Sequence, residues 1–478
     1  MALAVLILPG QNVPQKVTGN GQPAQIIETQ PNPPPNIVIL QRIRPDAPVR
    51  LGGVFTRGLG DHEDPFENSA QNRTLLSPGK QQWLIDTCDV VALSASTLST
   101  NTFREIVTRS PLFTPLLYVY ASTLYEQDDV RGNVGGWNPK MASLTLRDRK
   151  GQEVKHPETG GHWMDFASTA WARHWRDQVL QLVTRYGAQG VVAAELPIGN
   201  TFVADGLQKY RNLRDRGEAT VAWLRAARAE GRFLMVPSTQ GFDALVGRST
   251  LPVPPASQQP ELMGRYWDEF FPYIDGGWAE GWVCPYWLGR PLPEKLWEIH
   301  LEAADRAARN GQVFIACYAY RNAQELEYGL ASYLLVAHKQ GRFVFQPMPR
   351  TYRNRPDAGF SLAVLQKEYR NYRNYFDVPL GPAMQERHLI PAEGGFVWRR
   401  AFYRGAVYVN SSETRTITLR LGGTMRRVNG QQVRTIRLTP QSGVILLHDT
   451  APAQGKSVPS GQQDQPEHST DQQAQTDQ

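Results

Sequence analysis

The stretch Tyr186–Thr201, YGAQGVVAAELPIGNT, decides the fold. Its apolar run, Val191 to Ala194, is led in by Gly187 and Gly190. It ends on one carboxylate, Glu195, followed by Leu196 and Pro197. A short apolar run bounded by Gly and Pro reads as a strand of a parallel sheet, buried on both faces. Residues 167–186 before it carry Trp171, Trp175, Val179, Leu182, Val183 and Tyr186 at steps of three and four, which makes one apolar helix face. The unit is helix, glycine turn, buried strand, acid. An acid at the carboxyl end of such a strand lies where parallel barrels keep their reactive groups.

Working outward, the same rhythm recurs. Residues 52–57 (GGVFTR), 89–94 (DVVALS) and 115–120 (PLLYVY) precede the central strand. Residues 232–238 (RFLMVPS), 276–283 (GGWAEGWV), 312–318 (QVFIACY) and 342–346 (RFVFQ) follow it. Helical periodicity over 218–230, 294–310 and 323–340 fills the gaps, and Gly231, Gly311 and Gly341 stand where helix caps belong. Eight buried strands with helices between them predict an α/β fold, a (β/α)8 TIM barrel, over residues 37–390. The polar segment 126–161 shows no helical period and is expected as an insertion over one end of the barrel. From 391 to 450 the pattern changes to short strands with polar turns, including Asn429-Gly430, a hairpin signal. That predicts a C-terminal antiparallel β-sandwich-like domain. Residues 1–36 and 451–478 are rich in Gln, Pro and small polar residues and are expected to be a disordered N-terminal segment and a disordered tail.

Composition narrows the function. The chain has 478 residues, 41% hydrophobic and 20% charged, as ordinary globular proteins do. A net charge of +6 is small for this length, and no motif of a nucleic-acid module is present, so no nucleic acid partner is expected. Three cysteines, Cys88, Cys284 and Cys317, give no disulfide framework and read as small core residues. No run approaches the ~20 apolar residues of a membrane span. The apolar run Ala2 to Leu8, backed by a Pro- and Gln-rich linker, suits an exported or envelope protein. It lacks a preceding Lys or Arg and a clear cleavage site, so a cytoplasmic location stays open. Without a Gly-rich phosphate loop, HExxH or CxxC, neither a cofactor nor a metal is expected. The oligomeric state has no signature here.

Glu195 and Glu280 close the fourth and sixth strands of this count. Strands of one parity lean side chains into common layers, so the two acids can face each other across the mouth. Two facing carboxylates are the minimum machinery for cleaving a glycosidic bond: one protonates the leaving oxygen, the other attacks or activates water. Aromatic residues gather at the same strand ends. Tyr120, Trp278, Trp282, Tyr286 and Tyr318, with Trp163, offer faces on which sugar rings stack, while many such rings only fill barrel cores. Asp165 either binds a sugar hydroxyl or caps the helix that follows, and Arg57 either meets a polar substrate group or forms an ion pair.

The pieces HWMDFASTAWARHW, YGAQGVVAAE, GGWAEGW, ELEYGLASYLLVAHKQG before FVF, and FVWRRAFYRGAVYVN, in that order, span most of residues 52–447. In this order the chain resembles hypothetical glycosyl hydrolase family fifteen, a group of barrel glycosidases with a terminal β domain. In that family the fourth-strand piece usually reads Asp-Gly-Val-x-x-Asp; here Gln189 replaces the first acid and the strand ends in Glu195. The resemblance implies a glycoside hydrolase acting on a poly- or oligosaccharide. By analogy with barrel glycosidases of the alpha-galactosidase kind, Glu195 would be the nucleophile and Glu280 the acid/base. The alternative is a catalytically inactive barrel that binds carbohydrate.

Overall fold

The structure, a computed structural model, describes residues 49–55, 76–94, 100–109, 113–126, 134–156, 160–194, 196, 209, 213–228, 232–237, 268–285, 288–338, 342–352 and 361–449. The segments 1–36 and 451–478 lie outside these residues, as do Arg57, Glu195 and Tyr286.

Eight parallel strands form the barrel: β1 (Leu51–Phe55), β2 (Cys88–Ser94), β3 (Thr114–Tyr120), β6 (Gly190–Ala194), β7 (Leu234–Pro237), β8 (Gly276–Ala279), β9 (Val313–Tyr320) and β10 (Arg342–Pro349). Their order is β7-β6-β3-β2-β1-β10-β9-β8. A two-stranded hairpin, β4 (Thr123–Leu124) with β5 (His162–Trp163), stands apart after β3. Helices α1 (Pro78–Thr87), α2 (Thr100–Arg109), α3 (Thr169–Tyr186), α4 (Leu213–Ala227), α5 (Glu294–Arg309), α6 (Ala323–Val336) and α7 (Leu362–Asn371) lie between or after the strands. The barrel strands are buried almost throughout because side chains of one parity fill the interior while the other parity meets the helices. Val54, Ala92, Val192, Val236, Ile315 and Val344 belong to the interior core.

Two seams of the barrel are stitched by side chains. Between β1 and β10 only Leu51 and Phe345 are in register. Above that pair the Gln346 amide takes over. Its Oε1 accepts from the Val54 N–H at 3.0 Å and its Nε2 donates to the Val54 carbonyl at 3.1 Å. Gly53 makes room for this, since a Cβ there would sit 2.4 Å from Gln346 Cδ. The ends of the strand order, β7 and β8, meet through Asp275. Its N–H donates to the Met235 carbonyl at 2.8 Å, and its Oδ2 accepts from the Met235 N–H at 2.9 Å.

Burial raises the Asp275 carboxyl above its ordinary range, more than the Met235 hydrogen bond and Arg228 lower it. A raised carboxyl binds its proton more tightly in the folded chain. Its contribution is therefore full below the unfolded pKa and is lost as pH rises through the folded one. Asp275→Asn keeps an acceptor for Met235 without a charge to desolvate. We expect it to be at least as stable as the parent at pH 7.5 and to lose less stability between pH 4.5 and 7.5, measured by urea unfolding. Asp275→Ala should cost about 1–3 kcal/mol, the penalty of an orphaned buried N–H. A steeper pH dependence for the Asn variant would refute this account.

α3 starts where Ser168 Oγ accepts the Trp171 N–H at 3.2 Å, and it ends at Gly187 with φ of 71°. Its expected face is buried, and two of its indoles do more than fill space. Trp171 Nε1 donates to the Ala121 carbonyl at 3.1 Å and Trp175 Nε1 to the Tyr120 carbonyl at 2.8 Å, which ties the helix to the end of β3. α6 departs from the expected single apolar face. Every residue from Leu326 to Val336 is buried. One side lies on the barrel, where Gly329 leaves space for the Tyr318 ring 2.5 Å from a would-be Cβ. The other side is covered by the terminal sheet.

That sheet has six antiparallel strands, β11 (His388–Ala392), β12 (Gly395–Phe402), β13 (Gly405–Asn410), β14 (Ile417–Arg427), β15 (Gln432–Leu438) and β16 (Ser442–His448), in the order β11-β12-β13-β16-β14-β15. β14 breaks register between Arg420 and Met425, over Gly422 and Gly423. Before the break, Thr418 bridges Glu393 at the β11–β12 turn. The single sheet thereby curls around its own core of Val397, Tyr408, Ile417, Met425, Ile436 and Val444. Its opposite face meets α6. There Glu327 Oε1 accepts the Ile445 N–H at 2.9 Å, and Arg400 Nη1 donates to the Leu334 and Ala337 carbonyls at 3.0 and 2.9 Å.

The segment expected as an irregular polar cover has a small core of its own. Between β4 and β5 lies a 3-10 turn, Pro139–Leu144. Backbone bonds join Leu146 to Trp163 and Val154 to Leu146, and Val134, Met141, Leu146 and Met164 are buried.

Candidate active site

β8 ends at Ala279, so Glu280 sits in the turn that immediately follows, at the carboxyl end of the sixth barrel strand. It is 6% exposed. β6, the fourth barrel strand, ends at Ala194 inside the barrel, one residue before Glu195. Beneath Glu280, Trp278 points into the interior. Its ring meets Tyr118 of β3 edge-on at 6.0 Å, across the barrel. Tyr118 meets Tyr120 at 5.5 Å, and Tyr120 meets Tyr125 at 5.7 Å. These four rings form a line from Tyr125, just after β4, to Trp278, two residues before Glu280. Tyr120, partly exposed, lies nearest solvent among the three strand residues of the line.

The turn carrying Glu280 is held from two sides. Trp282 donates its N–H to the Cys317 carbonyl at 3.0 Å and its Nε1 to the His300 carbonyl at 3.2 Å. Val283 has φ of 61°, a conformation a β-branched residue adopts only when its surroundings impose it. The Val283 N–H donates to His300 Nδ1 at 3.2 Å, which requires a lone pair there and so places the ring proton on Nε2. From β10's far end, Arg350 Nη2 lies 2.6 Å from Cys284 Sγ, and its guanidinium also reaches the Gly289 carbonyl. Burial pushes the Cys284 thiol up to about 12, so it is a neutral acceptor here.

The other candidates separate. Tyr318 faces outward from β9, fully buried, with its hydroxyl donating to the Glu325 carbonyl at 2.7 Å. Trp282 is also fully buried, against Phe343 at 5.8 Å. Trp163 stacks on His156 at 5.4 Å within the insertion. Asp165 pairs with Lys209 at 2.6 Å and accepts the Ala167 N–H at 3.1 Å, while Ser168 does the capping. Parity explains Tyr318: on β9 the residues Val313, Ile315, Cys317 and Ala319 turn inward, so Tyr318 and Tyr320 turn out. On β3 alternation turns the even positions inward, Leu116 and Tyr118, and Tyr118 was not singled out in the sequence reading.

His300 and Arg350 were also missed, each distant in sequence from what it holds, as was the strain at Val283 within the turn. His162 is a further case. It is buried, stacked on Trp137 at 3.8 Å, and lies between Glu153 at 2.5 Å and Glu126 at 3.3 Å. It locks the insertion beside Tyr125.

Among the described residues one acidic group has metal-like spacing, Asp305, His338 and Glu386. Arg309 already donates to both acids there, at 3.1 and 2.8 Å, and stands where a cation would. None of the described helices is long and apolar enough to cross a membrane.

No family model matches the chain, and no curated protein matches it. Solved structures similar to it include an alpha-amylase from Anoxybacillus, at 9% identity and a TM-score of 0.44, covering 84% of this chain and 98% of that one. A maltogenic alpha-amylase from Thermotoga neapolitana is 12% identical with a TM-score of 0.43, covering 83% and 98%. An alpha-amylase from Geobacillus thermoleovorans, complexed with acarbose, is 8% identical with a TM-score of 0.44, covering 85% and 100%.

Proposed function

We propose that the chain is a glycoside hydrolase that cleaves O-glycosidic bonds of a poly- or oligosaccharide, with Glu195 and Glu280 as its two carboxylates. The observation that carries this reading is Glu280. It is a buried carboxylate in the turn at the carboxyl end of the sixth barrel strand, the end at which parallel barrels keep their reactive groups. It stands directly beyond a line of aromatic rings, Trp278, Tyr118, Tyr120 and Tyr125, of which Tyr120 is partly exposed. Tyr120, partly exposed, supplies the platform and Trp278 the floor. The clamp on residues 282–284 fixes the turn, so that Glu280 is presented in one geometry. Glu195 would face it from the fourth strand, as nucleophile or as the base that activates water. Arg57 and Tyr286, next to strands one and six in sequence, complete the reading as substrate contacts. The motifs quoted above support the finer placement in hypothetical glycosyl hydrolase family fifteen.

The test is a panel of neutral and acidic polysaccharides, incubated with the whole chain and assayed for new reducing ends. At least one glycan should be cleaved by the parent. If several are bound and none is cleaved, the chain is an inert carbohydrate-binding barrel and the proposal falls.

A further inference from the structure

The β14–β15 hairpin carries Arg420, Arg426, Arg427, Arg434 and Arg437 and no Asp or Glu, a formal +5 in a chain whose total is +6. Its register sets Thr418 opposite Arg437, Arg420 opposite Thr435 and Arg426 opposite Gln432. Residues opposed in an antiparallel pair project to the same side. The alternate pairs, Ile417 with Leu438 and Leu419 with Ile436, turn into the curled sheet's core. Arg420, Arg426, Arg434 and Arg437 are all exposed. Among the described residues no carboxylate lies within ion-pair distance of these four, and the one polar partner is Thr424 Oγ1, at 2.8 Å from Arg434 Nε. Elsewhere some exposed arginines find acids, Arg309 with Glu386, Arg321 with Glu325 and Arg373 with Asp377, and others, such as Arg149 and Arg173, find none among the described residues; the hairpin differs in gathering four of them without an Asp or Glu of its own.

Charges on an edge strand guard against strand addition, which accounts for Arg434 and Arg437 on β15. It does not account for Arg426, which lies where β14 is paired on both sides, with Gln432 of β15 and Leu447 of β16. Asp449, bonded to Gln432, and Glu393, bridged to Thr418, flank the hairpin without reaching these guanidinium groups. Four exposed forks with no carboxylate at ion-pair distance among the described residues are complementary to a polymer with carboxylate or sulfate groups along its length, since each fork matches two such oxygens. The hairpin has no aromatic residue on which a nucleobase would stack. None of the exposed large apolar residues lies on it, so nothing there inserts into a bilayer. Thr418 and Thr435, interleaved with the arginines, offer hydroxyls suited to sugar hydroxyls.

We propose that this face docks an anionic polysaccharide and that the barrel's substrate belongs to that class; the second half rests on the proposed function. The experiment measures binding of the full chain to polygalacturonate and dextran sulfate, with uncharged dextran as control. The variant carries Arg420→Ser, Arg426→Ser, Arg434→Ser and Arg437→Ser together. The parent should bind both charged polymers, more weakly as salt rises. The variant should bind at least about thirtyfold more weakly, the sum of several exposed charge contacts, with an unchanged melting temperature. Equal binding by a folded variant, or no binding by the parent, overturns the docking face. So does tighter arginine-dependent binding to single-stranded DNA or to phosphatidylserine vesicles. Charged-polymer binding without any hydrolysis across the panel upholds the face and removes the substrate assignment. Cleavage confined to neutral glycans removes that assignment as well.

Discussion

Glu280→Gln is expected to leave the fold and sugar binding intact and to lower turnover at least about a hundredfold, the low end of what a positioned acid or base contributes. The substitution keeps the shape of a side chain that is 6% exposed, so the turn and its clamp should hold. The melting temperature should stay within a few degrees of the parent. What the amide cannot do is give up and take back a proton. If Glu280 serves as acid/base, substrates with good leaving groups need no such proton and should be spared. Glu195→Gln, as the nucleophile variant, should not spare them, and azide should rescue only Glu195→Gly. The assay uses whichever glycan the panel identifies. Parent-like rates for both Gln variants on that glycan would show that the chemistry lies elsewhere.

Arg400→Ala should be the most damaging substitution in the terminal sheet. Arg400 is 3% exposed. It reaches from β12 to the carbonyls of Leu334 and Ala337 at the end of α6, and its Nε donates to the Gln385 carbonyl at 3.2 Å. Last-turn carbonyls lack intrahelical donors and must find them elsewhere. Removing the guanidinium leaves these acceptors buried and unmet, at about 1–3 kcal/mol each, and opens a void beside Phe402. Part of this is returned, because burial already lowers the Arg400 pKa and so opposes its charge. A net loss of about 3–5 kcal/mol is expected, a large share of the ~5–15 kcal/mol that holds a typical domain together. Arg400→Lys should fall between, since an ammonium cannot span three carbonyls as a planar fork does. Urea unfolding measures it; a loss under about 1 kcal/mol would mean that the sheet is held by apolar contact alone.

How much of this was legible follows from which forces are local. Glycine-bounded apolar runs such as GVVAA signal a buried parallel strand within a few residues, and the barrel followed from eight of them. Strand ends were less legible. The apolar run at 276–283 reads as one strand, yet β8 stops at Ala279 because the residues after it bond to His300 and Cys317 instead of to a ladder. The direction of a ring depends on strand parity, and that is fixed only once the register is known. Tyr318 and Tyr118 therefore exchanged roles. The insertion was read as irregular because its order comes from backbone bonds such as Leu146 to Trp163 and from the Glu126–His162–Glu153 contact, across separations that leave no periodic trace. Buried acids such as Glu327 and Glu368 look like solvated helix charges until the sheet and β9 are laid over them.

The all-round burial of α6 bears on how the chain is made. One side of this helix is covered by strands lying some hundred residues further on, up to β16. During synthesis at about 5–20 residues per second, α6 emerges several seconds before its cover exists. Through that interval Tyr328, Ala331 and Leu335 form an uncovered apolar strip on a nearly finished barrel. The nascent chain is thus most exposed to aggregation and chaperone capture late in translation. A ribosome stalled between Val336 and β13 should hold a far more chaperone-bound product than one released after His448.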